Sequence, residues 1–507
     1  MSDRYVLAVD AGSSGGRALV FDLRGRMLSS VARGWTYDVP GDVAPMGKEF
    51  NPEEFWDYIC QMISAAIREA AVAPADIVAV STASQRQGVV FLDDQGRELY
   101  GGPNTDLRAI LEGFSIDGQH GGEVYAITGH TPSLMLTPAK LHWFKANRPD
   151  VYERISKVVS LSDWIAYRLS GQVVGETSCV SSIGLIDVCE LAGSNRLEEM
   201  LGLPEGICPA ITPAGTRVGT VTARAAEQSG LSPETSVVVG GADSQCALLG
   251  MGVTDEAQVG IVAGWSGSIQ MVTSRPIIDP QRRVWTTCHV LPRKWILESN
   301  AQQSGGSYAW LKETLFGGSP DHAGSYTTMD AMAQKAPPGA GGVVAFIGPM
   351  LMDMRRMKLS LGGFVFPVTP SINDVTRGHL IRAALENLAF AFRANCLQLE
   401  EIAGMAITEI KIGGGLAQSE CLVQILADVL DRQVTAFDVR HVTSWGAAMC
   451  AAVGAGVYPD FGDAANAMAP HSRIVEPGPD SARQYDGLYT RWVSVAEWLD
   501  KLGDNLA

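Results

Sequence analysis

The chain is short of positive charge, of paired cysteines and of long apolar runs. Lys and Arg total 39 against 55 Asp and Glu, giving a formal net charge of -16. That balance excludes the broad basic face by which a protein grips nucleic acid or an acidic membrane. It leaves room for an anionic small ligand, because backbone amides and a metal ion can hold phosphate locally. Nine cysteines are scattered without a Cys-x-x-Cys pair, so neither a disulfide framework nor a zinc site is indicated. Cys246, Cys421 and Cys450 sit in apolar helical contexts and read as small core residues. No run of about 20 uninterrupted apolar residues occurs, so no membrane span is expected. A first strand begins by Tyr5, which leaves no room for a signal peptide, and the expected location is cytoplasmic. The eight histidines show no metal-ligand or triad spacing, and no Gly-x-Ser-x-Gly elbow is present.

What is present is the length and composition of a globular chain of about two or three domains, 46% hydrophobic and 19% charged over 507 residues. Two stretches echo each other. Val6 to Asp10 leads into Gly12-Ser13-Ser14-Gly15 and then Ala18 to Asp22; Val259 to Ala263 leads into Gly264-Trp265-Ser266-Gly267 and then Ile269 to Val272. Each is an apolar strand, a Gly-x-Ser-Gly turn and a second strand, which suggests an internal duplication, although short Gly/Ser turns between strands are common. A dinucleotide fingerprint needs its glycines to open a helix, and here the chain after Gly16 returns to β-type residues; the Walker Gly-Lys-Ser/Thr ending is missing too.

Elsewhere strands and helices alternate, which implies α/β layers. Asn51 to Ala73 is predicted as a helix with an Asn-Pro start and Phe55, Ile59, Met62, Ile63, Ala66 and Ile67 on one face. Ile77 to Ser81 and Ser236 to Gly240 read as strands, His379 to Glu401 as a long amphipathic helix. Ile410-Lys411-Ile412 is a short strand turned by Gly413-Gly414-Gly415 into a helix from about Ser419 to Leu430. A strand from Gln433 to Phe437 precedes the small-residue helix Ser444 to Val453, whose composition points to close packing. The halves divide near Gly252 to Gln258.

Asp10 ends an apolar strand beside glycines. Its carboxylate suits either a turn that accepts backbone amides or Mg²⁺ beside a phosphate. Asp243 follows Gly240-Gly241-Ala242 and precedes a helix, so it reads either as an N-cap or as a general base at the carboxyl end of a strand. Three consecutive glycines at 413–415 suit a flat ligand laid against backbone, or a plain strand-to-helix turn. The polar clusters Ser84 to Gly88 and Asn104 to Arg108 suit hydroxyl recognition, or solvated loops.

Taken in order, these segments resemble the FGGY family of carbohydrate kinases, within the actin-like ATPase superfamily. Asp10 to Arg17 resembles its first phosphate loop, and Met135 to Phe144 and Leu161 to Gly171 resemble family signatures. Gly240 to Gln245 resembles the catalytic-base motif, Gly264 to Ser268 the second phosphate loop, and Gly413-Gly414-Gly415 with Gln424 to Asp428 the adenosine motif. The resemblance covers about residues 5 to 457. It implies an α/β fold of two actin-like (ribonuclease H-like) domains with a ligand cleft between them. Residues 1–252 would carry the sugar site, first loop and base, 253–460 the second loop and adenosine site, and 461–507 a helical tail packed on the second domain.

The same resemblance implies an ATP-dependent kinase with Mg²⁺, transferring the γ-phosphoryl group to a hydroxyl of a small carbohydrate. Asp243 would be catalytic; Gly12, Ser13, Ser14, Arg17, Gly264, Ser266, Gly267, Gly414, Gly415 and Ser419 would bind the nucleotide. Gln85, Arg86, Asp106 and Asp243 would meet the sugar, and Asp10 and Asp243 the metal. A ketopentose such as xylulose is the foremost acceptor, with the autoinducer-2 precursor or a glycerol-like polyol beside it. The alternative is a non-catalytic sensor on the same fold. Expected partners are ATP and a carbohydrate, with neither nucleic acid nor membrane, and a homodimer is left open. Three departures stand out: Trp265 replaces the usual threonine, Ser13 and Gly15 stand in for Thr and Ser, and Gly348 to Arg356 lacks the Gly-Glu-Arg-x-Pro pattern. A hydroxyl for phosphate in the second loop must come from Ser266 or Ser268, or be absent.

Overall fold

Runs of Val, Ala, Leu and Ile at the start of the chain form strands buried at nearly every position, the pattern of strands covered on both faces. The structure is a computed structural model that describes residues 4–317, 325–355, 361–368 and 374–504. Two compact units emerge. The first holds the chain through Thr254 with Val272–Ile296 and His441–Pro470; the second holds Asp255–Met271, Leu297–Arg440 and the chain from His471.

In the first unit the strands are β1 (Tyr5–Ala11), β2 (Gly15–Asp22), β3 (Met27–Gly34), β4 (Ile77–Ser84), β5 (Val89–Leu92), β6 (Glu98–Gly102), β7 (Lys157–Ser160), β8 (Arg217–Thr220) and β9 (Ser236–Ala242). The main sheet has the order β3-β2-β1-β4-β9-β8, and β6-β5-β7 form a smaller antiparallel sheet. β1 is antiparallel to β2 and parallel to β4, β9 is parallel to β4, and β8 is antiparallel to β9.

The second unit contains β10 (Gln258–Ala263), β11 (Gly267–Thr273), β12 (Trp295–Asn300), β13 (Glu409–Gly413), β14 (Val434–Phe437) and β15 (Ser472–Val475). Its sheet includes the order β12-β11-β10-β13-β14-β15. β10 is antiparallel to β11 and parallel to β13, β13 is parallel to β14, and β14 is antiparallel to β15. Position by position this repeats the first sheet, so the echo between the two turns reflects a duplicated topology. The register sharpens the match: Asp10 pairs with Arg17 one residue before the end of β1, and Val262 pairs with Ser268 one residue before the end of β10.

The helix predicted over Asn51 to Ala73 spans Pro52–Ala70. Asn51 caps it, accepting the amides of Glu53 (2.9 Å) and Glu54 (3.3 Å), and Pro52 occupies the first turn, where its missing N–H is harmless. It ends early because Ala71 takes a left-handed conformation, φ 54°. The buried face carries the predicted residues together with Trp56 and Cys60.

The small-residue helix spans Val442–Gly454 and lies against β1, β4, β9 and the helix Asp243–Gly250, all in the first unit. Close packing accounts for its composition. A Cβ on Gly446 would sit 1.9 Å from the Cys246 carbonyl oxygen, and one on Gly250 would sit 2.1 Å from that of Val442. Helix Phe461–Met468 also belongs to the first unit, whereas the terminal helix Pro479–Asp504 belongs to the second, where Tyr485 bonds Arg382 and Glu386.

Two carboxyls are buried as caps. Ser160 and Asp163 cap helix Leu161–Ser170 reciprocally, and Glu176 caps helix Thr177–Ser182 by accepting the Cys179 amide at 2.9 Å. Burial pushes the Asp163 carboxyl up to about 8 and the Glu176 carboxyl up to about 7.

Two outcomes are expected. Gly446→Ala forces a methyl against backbone, so its urea midpoint should fall by an amount equivalent to roughly 1–3 kcal/mol or more; an unchanged midpoint would contradict the packing described. Between about pH 4 and 8 the folded chain holds protons on Asp163 and Glu176 that the unfolded chain has released. Stability from these groups therefore falls as pH rises through that window. Melting temperatures of wild type and Glu176→Gln, compared from pH 5 to 8, should shift in favour of the variant at the alkaline end; a constant difference would refute the assignment.

Candidate functional site

The first turn, residues 12–14, is closed by the Gly12 amide donating to the Gly15 carbonyl at 2.9 Å, and its rim is tied by the Trp35 amide donating to the Ser14 carbonyl at 3.2 Å. Ser13 and Ser14 are exposed at its tip. None of Gly12, Gly15 and Gly16 adopts a positive φ. They are required for space instead: a Cβ on Gly15 would lie 2.6 Å from the Arg33 carbonyl oxygen, and one on Gly16 would lie 2.4 Å from the Trp35 ring. Asp10, 6% exposed, lies beneath the turn with Arg17 Nη1 at 3.4 Å. Burial raises its carboxyl above the ordinary range, and the Arg17 charge pulls in the other direction.

Gln85 reaches this turn. Its amide nitrogen donates to the Tyr37 hydroxyl (2.9 Å) and the Gly12 carbonyl (3.4 Å), and its oxygen accepts the Asn104 amide at 3.0 Å. Asn104 Nδ2 in turn donates to Ser13 Oγ at 2.8 Å. Two polar clusters 19 residues apart in sequence are thus joined to the phosphate-loop candidate. Arg86 lies over the Trp285 ring at 5.9 Å. Asp106 is placed differently from Gln85 and Arg86. It is fully buried, pairs with Arg108 through both carboxylate oxygens (3.0 and 2.9 Å), and also accepts the Lys48 amide at 2.9 Å and the Tyr100 hydroxyl at 2.5 Å. Lys140, from the first of the two signatures, is buried alongside; burial lowers its ammonium while Asp106 opposes that shift. Asp106 is consumed by internal donors, so it shapes the loop it sits in.

Asp243 is the first residue of helix Asp243–Gly250, and Ala242 occupies the cap position without a side-chain bond. The N-cap alternative for Asp243 therefore falls away. Its carboxylate accepts the Ser244 amide at 2.7 Å and stands half-buried at the carboxyl end of β9, where α/β sheets place ligands.

In the second unit the turn 264–266 closes one residue tighter, with the Gly264 amide donating to the Ser266 carbonyl at 3.1 Å. Ser266 is exposed, but Ser268 is buried and donates to Glu298 at 2.7 Å. Of the two candidate hydroxyls, Ser266 alone faces outward. Trp265 is 69% exposed. Gly267 admits no Cβ, which would meet Ser304 Oγ at 2.4 Å. Gly414 takes φ 102° and passes so near β10 that a Cβ would lie 2.7 Å from the Ala263 carbonyl oxygen; Gly415, beside it, is exposed. Ser419 caps helix Glu420–Leu430, accepting the Leu422 amide at 3.0 Å and donating to Asp330 at 2.8 Å.

Sequence reasoning missed Gly305 and Gly306, whose amides donate to the carbonyls of Gly264 (3.1 Å) and Trp265 (3.0 Å) at the start of helix Ser304–Phe316. The paired glycines opening an apolar helix were the available signal. Asn104, first of the polar cluster Asn104 to Arg108, joins the site through Gln85 and Ser13. Of the segment Gly348 to Arg356, Arg356 lies outside the described residues.

Among the described residues no group of three or more His, Cys, Asp or Glu side chains is placed to hold a metal. Asp10 near the end of β1 and Asp243 just after β9, with β4 between those strands, each present a carboxylate, the oxygen-donor type. Such donors fit Mg²⁺ that keeps most of its waters and is carried by phosphate oxygens.

Residues 5–250 match the N-terminal domain, and residues 259–455 the C-terminal domain, of the FGGY family of carbohydrate kinases. The autoinducer-2 kinase of Salmonella paratyphi A (strain ATCC 9150 / SARB42) is 31% identical over 511 residues, spanning 97% of this chain and 94% of that protein. That of Escherichia coli (strain K12) is 30% identical over 519 residues, spanning 99% and 95%. Among solved structures, xylulose kinase from Rhodospirillum rubrum aligns with a TM-score of 0.86 at 26% identity, over 99% of this chain and 100% of that one. Plasmodium falciparum glycerol kinase with ADP shares the fold with a TM-score of 0.84 at 15% identity, over 97% and 98%. No described helix is long and apolar enough to cross a membrane. Both family domains in order, and full-length relatives at this identity, show that the chain belongs to the FGGY family of carbohydrate kinases and is an ATP-dependent sugar kinase.

Proposed function

We propose that the chain transfers the γ-phosphoryl group of ATP to a hydroxyl of autoinducer-2 or of its open-chain precursor. Support for the acceptor comes from the relatives named autoinducer-2 kinase at 30–31% identity over nearly the whole chain. A ketopentose is the second reading, favoured by the 26% identity to a xylulose kinase over full length.

The observation that carries the chemistry is Asp243, a carboxylate at the carboxyl end of β9 that does not serve as its helix's cap. In this reading it accepts the proton of the acceptor hydroxyl as that oxygen bonds to the γ-phosphorus and the bond to ADP breaks. Ser13 and Ser14 offer hydroxyls and Arg17 a cation to phosphate at the turn that Gly12 closes, and in the second unit Ser266 offers a hydroxyl between Gly264 and Gly267, whose amides hold that turn in place. Gly414, Gly415 and Ser419 border the adenosine; Ser419 serves chiefly by capping its helix. Gln85 and Arg86 would approach the acceptor, and Asp106 would shape the loop that carries Asn104 through its pair with Arg108. Mg²⁺, held through water by Asp10 and Asp243, would offset phosphate charge.

The functional division we propose runs by chain segment, 1–252 for acceptor, first loop and base, 253–460 for the second loop and adenosine, and 461–507 as the tail, although Val272–Ile296 and His441–Pro470 belong to the first compact unit. A cytoplasmic location suits an ATP-using enzyme whose nine cysteines are all free thiols. A homodimer remains the oligomeric proposal.

An ADP-release screen over autoinducer-2 precursor, xylulose, glycerol and gluconate tests the acceptor. The precursor is expected to give the highest kcat/KM; a higher value for xylulose would replace the first reading with the second, and no release with any of them would favour the sensor. Asp243→Asn should lower kcat by about 10²–10⁴-fold with ATP binding intact; turnover near wild type would remove Asp243 as the base. Ser266→Ala should raise the KM for ATP several-fold, roughly one hydrogen bond to a charged group, whereas Ser268→Ala should act on thermal stability.

A further inference from the structure

The end of β9 is irregular where it hands the chain to Asp243. Its register against β4 shifts between Val238 and Gly241, and both glycines there are crowded: a Cβ on Gly240 would lie 1.7 Å from the Thr82 carbonyl oxygen, and one on Gly241 would lie 2.4 Å from Val290. Beyond that shift Gly241 and Ala242 pair with Ala83 and Ser84 of β4. A side chain adds a further tie. The Ala242 amide donates to Ser178 Oγ at 3.0 Å. Ser178 donates its own proton to Glu176 Oε2 at 2.5 Å, and the Glu176 amide is held by Asp163 Oδ1 at 3.0 Å. Glu176 and Ser178 are fully buried and Asp163 is 2% exposed.

Capping helix Thr177–Ser182 explains why Glu176 Oε2 accepts the Cys179 amide, but not why a full carboxyl stands there. Its second oxygen, Oε1, is buried without any partner. Asp163, Cys179, Cys246 and Cys288 lie within the electrostatic reach of this carboxyl, and none of these four is a cation. A bare anionic oxygen in such surroundings is unfavourable, and burial accordingly holds the group up to about 7. With a proton on Oε1, Oε2 is left as a neutral acceptor that keeps the Ser178 hydroxyl turned so that its lone pair faces the Ala242 amide.

We propose that Glu176 and Ser178 are positioning residues for phosphoryl transfer: Glu176 orients the Ser178 hydroxyl, the hydroxyl anchors the Ala242 amide, and that anchor sets where Asp243 leaves the strand. The inference rests on Asp243 being the base. Neither residue touches the reacting atoms. Their effect is geometric, and a small displacement of a catalytic group is enough to matter.

The test compares full-length wild type, Ser178→Ala, Glu176→Ala, Glu176→Gln and Asp243→Asn, with ATP and the acceptor of highest turnover, water included as the background acceptor. Ser178→Ala and Glu176→Ala should lower kcat about 10–100-fold, with the KM for ATP within about twofold. Glutamine matches the protonated carboxyl in shape and acceptor, so Glu176→Gln should retain kcat within about threefold. Hydrogen exchange of the segment Gly240–Ser244 should quicken in Ser178→Ala and remain as in wild type in Glu176→Gln. Wild-type kcat in a folded Ser178→Ala, or Glu176→Gln as impaired as Glu176→Ala, overturns the proposal. If Asp243→Asn retains turnover, the base reading fails on its own account. Faster exchange in Ser178→Ala would then still identify the hydroxyl as the anchor of that turn.

Discussion

Close approach between backbone and backbone is the constraint on which both halves of this protein depend. At Gly15 the carbonyl oxygen of Arg33 stands 2.6 Å from where a side chain would begin, and at Gly414 that of Ala263 stands 2.7 Å away. A Cβ at either place would push a strand off its neighbour and open the turn it supports. Because no Cβ is there, the strands come together and the turn amides and hydroxyls stay at the rim. The glycines of the first turn are thus explained by space and not by backbone handedness, whereas Gly414 needs both, with φ 102°.

Around these turns the acidic groups divide by what is left for them to do. Asp106 is satisfied by Arg108, Tyr100 and the Lys48 amide, and Asp163 by Ser160 and the Glu176 amide. Asp10 has Arg17 at a longer 3.4 Å and is raised by burial, which leaves it receptive to a cation. Asp243 is only half-buried and does not cap its helix. Carboxylates of one chemical type therefore serve as strut and cap, and leave Asp10 and Asp243 as the proposed metal and base groups, according to the donors that surround each one.

Much of the architecture was legible in the amino-acid order. Asn51-Pro52 marked a helix start because a side-chain acceptor and a missing N–H both suit that position, and the apolar spacing named the buried face. The Gly-x-Ser-Gly echo pointed to a duplication that six strands of the second sheet repeat in order, with Trp285–Cys288 added at one edge. The small residues of helix Val442–Gly454 announced tight packing, although nothing local showed that the partner would be the helix after β9, two hundred residues earlier. Asp106 stood in a polar cluster that suited sugar recognition, yet its donors come from Lys48 and Tyr100 as well as its neighbour Arg108. The early end of helix Pro52–Ala70 was invisible because left-handed closure at Ala71 carries no residue signature when glycine is absent.

By itself the sequence carried, in the order of its motifs, the resemblance to a carbohydrate kinase, and it determined the α/β alternation and the paired turns. These follow from periodicity, glycine placement and residue type, which act over a few neighbours. Tertiary structure alone decided which hydroxyl of the second turn faces outward, that Asp243 is free of the cap position, and that Glu176 and Ser178 support the residue before it. Those outcomes depend on hydrogen-bond partners distant in the chain. Ser268 is claimed by Glu298 and Ala242 by Ser178 only once the strands have come together. The opening acid and glycines of the first turn therefore declared a tight hairpin, while folding determined what that hairpin presents.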